Sequence, residues 1–568
     1  SRQVAGGGDS GSDHGESATD TSSVTGLATL TETGNRQSGS YSLTQTSSQV
    51  LSTGGSITDL AEGISSSQTV TVSATLTETG NGKLGDYSFT QTSTQTTSDV
   101  LFDGDSGWST TDGDTVTGSA TITETGNRIS GSYSLTQVSA EVVSQGNVVS
   151  NVGLGTTASE TVTNSVTLTE TGNRKLGDYS LTETSRQVAG GGDSGSDHGE
   201  SATDTSSVTG LATLTETGNR QSGSYSLTQI SSQIVSQGDV TTNTGLGITA
   251  SETVTSSATL TETGNRKLGD YSFTQTSTEV TSGGDVSTQN VENETDTSSV
   301  TGVATITETG NRVSGSYSLT QISSQIVSQG NVISNTGLAE TASQTVTSSV
   351  TLTETGNRKL GDYSLTQYST ETSAGGDQTT DQTEGDNTSE SVTGSSTLYE
   401  TGNRQSGSYS LTQYSAQTIS HGNVISNTGL GVTASQNAIN SVTLVEMGNR
   451  KVGDYSLTET STQTGTGGDV GSELGASQME NGSFYGSATL TETGNRVSGS
   501  YSLTQVSSQT TSQGSVETNQ GDSDTGASSV TNVATLTETG NRKLGDYSLT
   551  QLGSASSSQT DYGTDGRG

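Results

Sequence analysis

The residues able to carry acid–base, nucleophilic or metal chemistry are too few or too scattered in this chain to form a repeated catalytic set. His14, His198 and His421 are the only histidines, and the first two are copies, because residues 1–45 are identical to 185–229. No Ser-His-Asp set or zinc cluster can therefore recur along the chain. Cysteine is absent, which removes thiol chemistry and disulfide staples. Glycine is abundant, yet no phosphate-cradling P-loop occurs. The carboxylates remain. Asp9, Asp193, Asp285, Asp377 and Asp469 each close a Gly-Gly-Asp triplet, and they lie at multiples of 92 residues. Carboxylates and carbonyls in glycine-rich segments suit a hard cation, so calcium is the one cofactor the sequence admits, with Asp193, Asp197 and Glu200 as its candidates. The segment GGDSGSDHGE has neither the EF-hand pattern nor the glycine-rich nonapeptide. Solvated acidic loops are the simpler reading.

The basic residues are concentrated. Eleven of the 20 are the Arg of a Gly-Asn-Arg motif, at Arg36, Arg128, Arg174, Arg220, Arg266, Arg312, Arg358, Arg404, Arg450, Arg496 and Arg542, with Gly82 in the Arg position of the second repeat. Six more are Lys83, Lys175, Lys267, Lys359, Lys451 and Lys543, in the same short segment. A Glu precedes each motif closely, as in Glu32, Glu78 and Glu124. A Glu–Arg pair across one turn is the local explanation, and such exposed pairs are worth about 0–1 kcal/mol. Against 59 acidic residues and a net charge of −39, this basic set is too small for nucleic-acid binding. Repetition is expected to line it along one edge of the molecule, with an acidic stripe on the opposite edge. Complementary stripes would let copies associate edge to edge; the competing reading is that charge keeps a repetitive chain soluble.

The elements that must position these residues are repeats. The TETGN-type segment recurs twelve times, with glycines at Gly34, Gly80, Gly126, Gly172, Gly218, Gly264, Gly310, Gly356, Gly402, Gly448, Gly494 and Gly540, always 46 residues apart. A fixed period of this size marks a tandem array whose units pack on their neighbours. The core after it alternates between SGSY and LGDY, so the full period is 92 residues. Connectors between cores diverge by substitution without a single insertion or deletion, which predicts that they are ordered parts of the fold. Residues 1–552 read as one array and 553–568 as an irregular end. Ser1 lies mid-repeat, without an initiator Met or signal peptide, so the chain is expected to be a window on a longer protein or a processed product.

Before each TETGN the apolar residues alternate, as in Val70, Val72, Ala74 and Leu76, and after the turn Tyr87 and Phe89 are again spaced by two. Both are half-buried strand patterns. The intervening Gly and Asn suit positive backbone dihedrals, so a β-hairpin is predicted, with arms of about 12–14 residues or roughly 40 Å. Ile230 and Ile234 fall in the opposite phase from Tyr225 and Leu227, which predicts a bulge or a new packing partner beyond Gln229. One aromatic position is constant: Tyr41, Tyr87, Tyr133, Tyr179, Tyr225, Tyr271, Tyr317, Tyr363, Tyr409, Tyr455, Tyr501 and Tyr547 are expected to form a structural ladder.

The fold class is all-β, either a strip or tube of successive antiparallel hairpins, which the turn chemistry favours, or a β-solenoid with equivalent residues stacked at about 4.8 Å. Only 25% of the chain is hydrophobic, close to the border of disorder, but disorder has no reason to keep a 46-residue frame. No helix-period, heptad or membrane-spanning stretch appears. Asn293, Asn387 and Asn481 lie in N-x-S/T sequons, so glycans can be accommodated, although in such sequence the sequons are expected by coincidence.

The TETGNRxxGxYSLTQ unit resembles the hairpin repeats of large secreted bacterial proteins, including the rearrangement-hotspot or YD-repeat group, over all twelve cores. Here the dipeptide is reversed, as in Asp86–Tyr87. The resemblance implies an extracellular, structural, all-β role and carries over no functional residue. The expected function is a non-enzymatic component of an extracellular filament, sheath or surface fibre that self-associates, with functional amyloid as a variant. Alternatives are an adhesin stalk and, from the Thr-x-Thr spacing, an ice-binding surface.

Overall fold

The computed structural model describes residues 2–13, 16–58, 62–105, 108–151, 154–197, 200–243, 246–289, 292–335, 338–381, 384–427, 430–473, 476–519 and 522–564. Two units divide the chain, residues 1–290 and 291–568. The first holds β1 (Arg2–Asp13), β2 (Glu16–Asn35), β3 (Ser40–Thr58), β4 (Glu62–Asn81), β5 (Asp86–Asp105), β6 (Trp108–Asn127), β7 (Ser132–Asn151), β8 (Leu154–Asn173), β9 (Asp178–Asp197), β10 (Glu200–Asn219), β11 (Ser224–Asn243), β12 (Leu246–Asn265) and β13 (Asp270–Gln289). The second holds β14 (Glu292–Asn311), β15 (Ser316–Asn335), β16 (Leu338–Asn357), β17 (Asp362–Asp381), β18 (Glu384–Asn403), β19 (Ser408–Asn427), β20 (Leu430–Asn449), β21 (Asp454–Glu473), β22 (Ala476–Asn495), β23 (Ser500–Asn519), β24 (Asp522–Asn541) and β25 (Asp546–Thr564).

Within each unit every strand pairs antiparallel with the strands before and after it in sequence, a meander of successive hairpins. This is the hairpin strip; equivalent residues of adjacent repeats stand two strands apart, with a strand of opposite direction between them. The arms are 20 residues long, not 12–14. The connectors belong to the strands: their Ser, Thr, Val and Gly residues have a paired strand on both sides, and the ladder overrides the weak β-propensity of glycine. Residues 553–564, expected to be irregular, continue β25 against β24. The bulge expected beyond Gln229 does not form. Register runs unbroken from Gln229 opposite Leu260 to Ile234 opposite Thr255, so Ile230 and Ile234 stand on the other face, 51% and 46% exposed.

The turn after each Gly-Asn is built by the asparagine. Asn81 Oδ1 accepts the backbone N–H groups of Lys83 and Leu84 at 3.0 and 3.1 Å, and the Gly85 N–H closes onto the Asn81 carbonyl at 2.8 Å. Gly85 has φ +81°, and a Cβ there would come 2.7 Å from Ile129 Cγ1, so both conformation and space require glycine. The next turn is tied to this one, because the Arg128 N–H donates to the Gly85 carbonyl at 2.8 Å and Asn127 Nδ2 to the Leu84 carbonyl at 3.0 Å.

A conventional core is missing from both units. Among the described residues only Tyr133, Tyr225, Tyr317 and Tyr409 are buried apolar side chains, at 7–8% exposure. The chain exposes 32,868 Å², whereas a compact protein of 57.5 kDa would expose about 19,000 Å². In each unit the sheet is a single layer, wet on both faces, which accounts for the difference.

Candidate functional site

Side chains alternate between the two faces of a strand, and the unbroken register carries that alternation from strand to strand. The face that holds the tyrosines is described first. Tyr87 of β5 stands opposite Gly126 of β6. Because Gly126 has no side chain, the ring lies across it: a Cβ built there would fall 2.9 Å from Tyr87 Cζ. The Tyr87 hydroxyl donates to Glu124 Oε1 at 2.5 Å. Arg128 lays its guanidinium over the same ring, with Cζ 5.0 Å from the centroid, and reaches back to Glu78 at 3.6 Å.

The same set recurs in the next repeat. Arg174 covers Tyr133 at 4.5 Å, donates to Glu124 at 2.8 Å, and donates to the Tyr87 hydroxyl at 3.3 Å. Each carboxylate thus accepts from a tyrosine 37 residues before it and an arginine 50 residues after it. In the second unit Glu400 accepts from Tyr363 at 2.5 Å and Arg450 at 2.7 Å, and Glu446 accepts from Tyr409 and from Arg496 at 2.6 Å. The Glu–Arg pair expected within one turn is therefore a pair between successive repeats. The lysines of the expected basic edge are also tied down: Lys175 Nζ donates to the Ile129 carbonyl of the preceding turn, and in the alternate turn type Gln221 Nε2 donates to the Lys175 carbonyl at 2.6 Å.

Electrostatics follow from these contacts. The Tyr87 hydroxyl, and then Arg174, hold the Glu124 carboxyl below the usual carboxylate range, against the opposing effect of its burial. Burial, and then the bond to Glu124, push the Tyr87 phenol up. Both shifts favour the same arrangement, a neutral phenol donating to an ionised carboxylate.

Towards the other end of the strands the acids gather on this same face, inside the strands and not on the edge as expected. Asp9 stands opposite Asp20, Asp193 opposite Asp204, Asp204 opposite Asp239, and Asp469 opposite Glu480. Like charges directly opposite oppose pairing, and the Asp239 carboxyl is pushed up by its hydrogen bond to Asp204 and then by that group's charge. The calcium candidates are not brought together. Asp197 faces Glu200, but Asp193 lies four residues away along β9, about 13 Å at the rise of a strand. Among the described residues no group of three or more His, Asp or Glu converges to hold a metal. His14 and His198 lie outside the described residues. Where glycines thin this face, a shallow trough of about 550 Å³ is lined by Gly467, Asp469, Glu480, Gly482, Ser515 and Asp561.

The opposite face has a different chemistry. Thr75, Thr77 and Thr79 of β4 stand opposite Thr92, Thr90 and Ser88 of β5, and Thr121, Thr123 and Thr125 of β6 continue the rows. Each unit has 27 acidic side chains among its described residues; in each, 24 stand on the tyrosine face and three on the threonine face. Those three are Asp86, Asp178 and Asp270 in the first unit and Asp362, Asp454 and Asp546 in the second, all at the turns. Asp86 is occupied by Asn127 Nδ2 at 2.5 Å. Sequence reasoning placed the acids on an edge because it ended the strands too early. Parity counted through the connectors would have found the segregation.

No protein-family model matches this chain, and no curated protein is similar to it. Among the described residues no helix is long and apolar enough to cross a membrane.

Proposed function

We propose that this protein is a non-enzymatic structural component of an extracellular filament, sheath or surface fibre, a load-resisting strip extended by adding hairpins. The observation that supports this most directly is the Tyr–Glu–Arg ladder. Its side chains are spent on joining each repeat to the next, through contacts 37 and 50 residues long in sequence, and a strip knitted this way resists separation of its strands. The backbone ladder adds to this, each hydrogen bond contributing about 0.5–1.5 kcal/mol net. The trough beside Asp469 and Glu480 is open and acidic, and calcium or a glycan is a secondary occupant of that surface, not the basis of the fold.

Cryo-electron microscopy of the purified protein at rising concentration tests this reading. Long fibres with a regular axial spacing are expected. Discrete particles at every concentration would instead favour the stalk of an adhesin. A second reading, an ice-binding surface, is favoured by the rows of threonine on the uncharged face; a freezing-point depression beyond the colligative value would support it.

A further inference from the structure

The threonine face, uncharged apart from the aspartates at its turns, carries features that the ladder and the strip do not use. Among the described side chains of β14–β24, sixteen large apolar ones stand exposed on this face, and only Leu338 and Val530 on the acidic one. Most stand proud because their neighbours are Ser and Thr, while Val470, Met479 and Val516 form a short apolar row of their own. Their distribution has a centre. Tyr368 of β17 and Tyr414 of β19 flank Thr397 of β18 from either side, Tyr399 lies one pleat along β18, and Thr412, which faces Tyr399, also faces Val445 of β20. Met447 follows Val445 on the same face. Tyr368, Tyr399, Tyr414 and Met447 are 47%, 48%, 49% and 53% exposed.

This island breaks the repeat rule on one face only. The position of Tyr399 and Val445 is Thr in the other ten repeats, and that of Met447 is Thr in the other eleven. On the acidic face of the same strands, the ladder residues Glu400 and Glu446 keep their usual partners. Contiguous exposed apolar groups on an otherwise polar surface mark a contact site, and Tyr and Met are suited to anchor one.

We propose that copies of this chain pack against one another through the uncharged face, with the tyrosine island of β17–β20 at the centre of the contact and the acidic faces turned outward. The proposal builds on the fibre reading by assigning the surface that meets the next copy. Charge selects the occupant. Stacked sheets lie about 10 Å apart, close to the Debye length at physiological salt, so two acidic faces would repel at full contact. Two threonine faces, whose few acids lie only at the turns, meet with little of that cost. Area suffices as well: a 20-residue strand presents roughly 300 Å² in projection, so the four strands β17–β20 exceed the roughly 800 Å² per partner of a standard interface.

The chain has no cysteine, so single cysteines report each face separately. Gln417 and Thr418 are consecutive exposed residues of β19 that point to the acidic and the uncharged face respectively. In assembled Thr418→Cys protein, maleimide labelling is expected to slow at least tenfold relative to dilute protein, while Gln417→Cys labels at an unchanged rate. Fibres in which Thr418→Cys stays reactive, or in which both sites are protected alike, would overturn the proposal and leave the fibre reading standing. Discrete dimers with only position 418 protected would keep the proposal and sink the fibre reading. A triple variant, Tyr399→Thr, Val445→Thr and Met447→Thr, restores residues that other repeats already carry. It should keep its circular dichroism and melting point yet self-associate at least tenfold more weakly in sedimentation equilibrium; unchanged association refutes the role of the island. If the protein stays monomeric and position 418 is protected only on adding ice or a polysaccharide, the face belongs to that ligand and the proposal fails.

Discussion

The two ends of a hairpin share one backbone and differ in almost everything else. Near the Gly-Asn turn the ladder side chains have assigned partners: Tyr87 on Gly126, its hydroxyl on Glu124, Arg174 on both. Near the other end Asp193, Asp204 and Asp239 face one another with like charge, and the strands pair in register all the same. Main-chain hydrogen bonds are enough to continue a ladder once it has been started. Side-chain chemistry is needed to start it and to fix which residue meets which, because a slip of one residue would turn every side chain to the wrong face. The turn end holds register; the far end is free to vary.

The sharpest way to break that comparison is to remove the aromatic ladder entirely. Replacing all twelve motif tyrosines with Ser should abolish cooperative thermal unfolding followed by circular dichroism. Those such as Tyr133, Tyr179 and Tyr363 lose a ring packed on glycine, a cation–π contact and a hydrogen bond, together on the order of 1–2 kcal/mol each. A transition as sharp as before, at the same temperature, would show that the far end can hold register alone.

Acidity should act next most strongly, through the Glu124 carboxyl and the ladder phenols. The Glu124 carboxyl is held down in the folded protein, so its contribution is complete above the ordinary carboxylate value of 4.5 and is lost as pH falls below that. The Tyr87 phenol is pushed up, so its contribution is complete below 10.0 and is lost as pH rises beyond it. Melting temperature against pH should therefore show a plateau that falls at both ends. Asp239 runs the opposite way from Glu124: its raised carboxyl favours the folded state on protonation, which blunts the acid limb.

Smaller changes sharpen the contrast locally. Gly126→Val should cost about 1–3 kcal/mol by lifting Tyr87 from its seat, because a Cβ there would also fall 2.7 Å from the Ser132 carbonyl oxygen. Arg220→Gln should cost only about 0.5–1 kcal/mol, since Arg220 is 62% exposed and its pair with Glu170 is screened. Asp204→Asn, at the far end, should raise stability by a few tenths of a kcal/mol through relief of like charge. Chemical denaturation measures all three, and an Asp204→Asn variant less stable than the parent would contradict the account of the acidic rows.

Much of this fold was legible because alternation is a local signal. Val70 to Leu76 and Tyr87 to Phe89 announce strands, and Asn81 with Gly85 announces the turn between them. What escaped had non-local causes. Segments such as GGDSGSD have too little β-propensity to be read as strand, and become strand only because neighbours on both sides offer hydrogen bonds. The Arg partner was misjudged for a related reason: Arg220 has a Glu four residues before it, and only the meander reveals that Glu170 in the previous repeat lies closer to the guanidinium. The glycine of each TETGN motif was read as turn chemistry, whereas its second office is to leave room for a tyrosine one strand away.

The 50-residue reach of each arginine has a consequence for heredity. It equals one period plus four residues, so an in-frame duplication or deletion of a 92-residue block returns every Arg to a Glu and every Tyr to a Gly. Unequal recombination within such a gene would yield longer or shorter proteins whose internal joints are all of a type already present. Length is then a quantity the genome can adjust by copy number alone, and the identity of residues 1–45 with 185–229 is the trace such copying leaves.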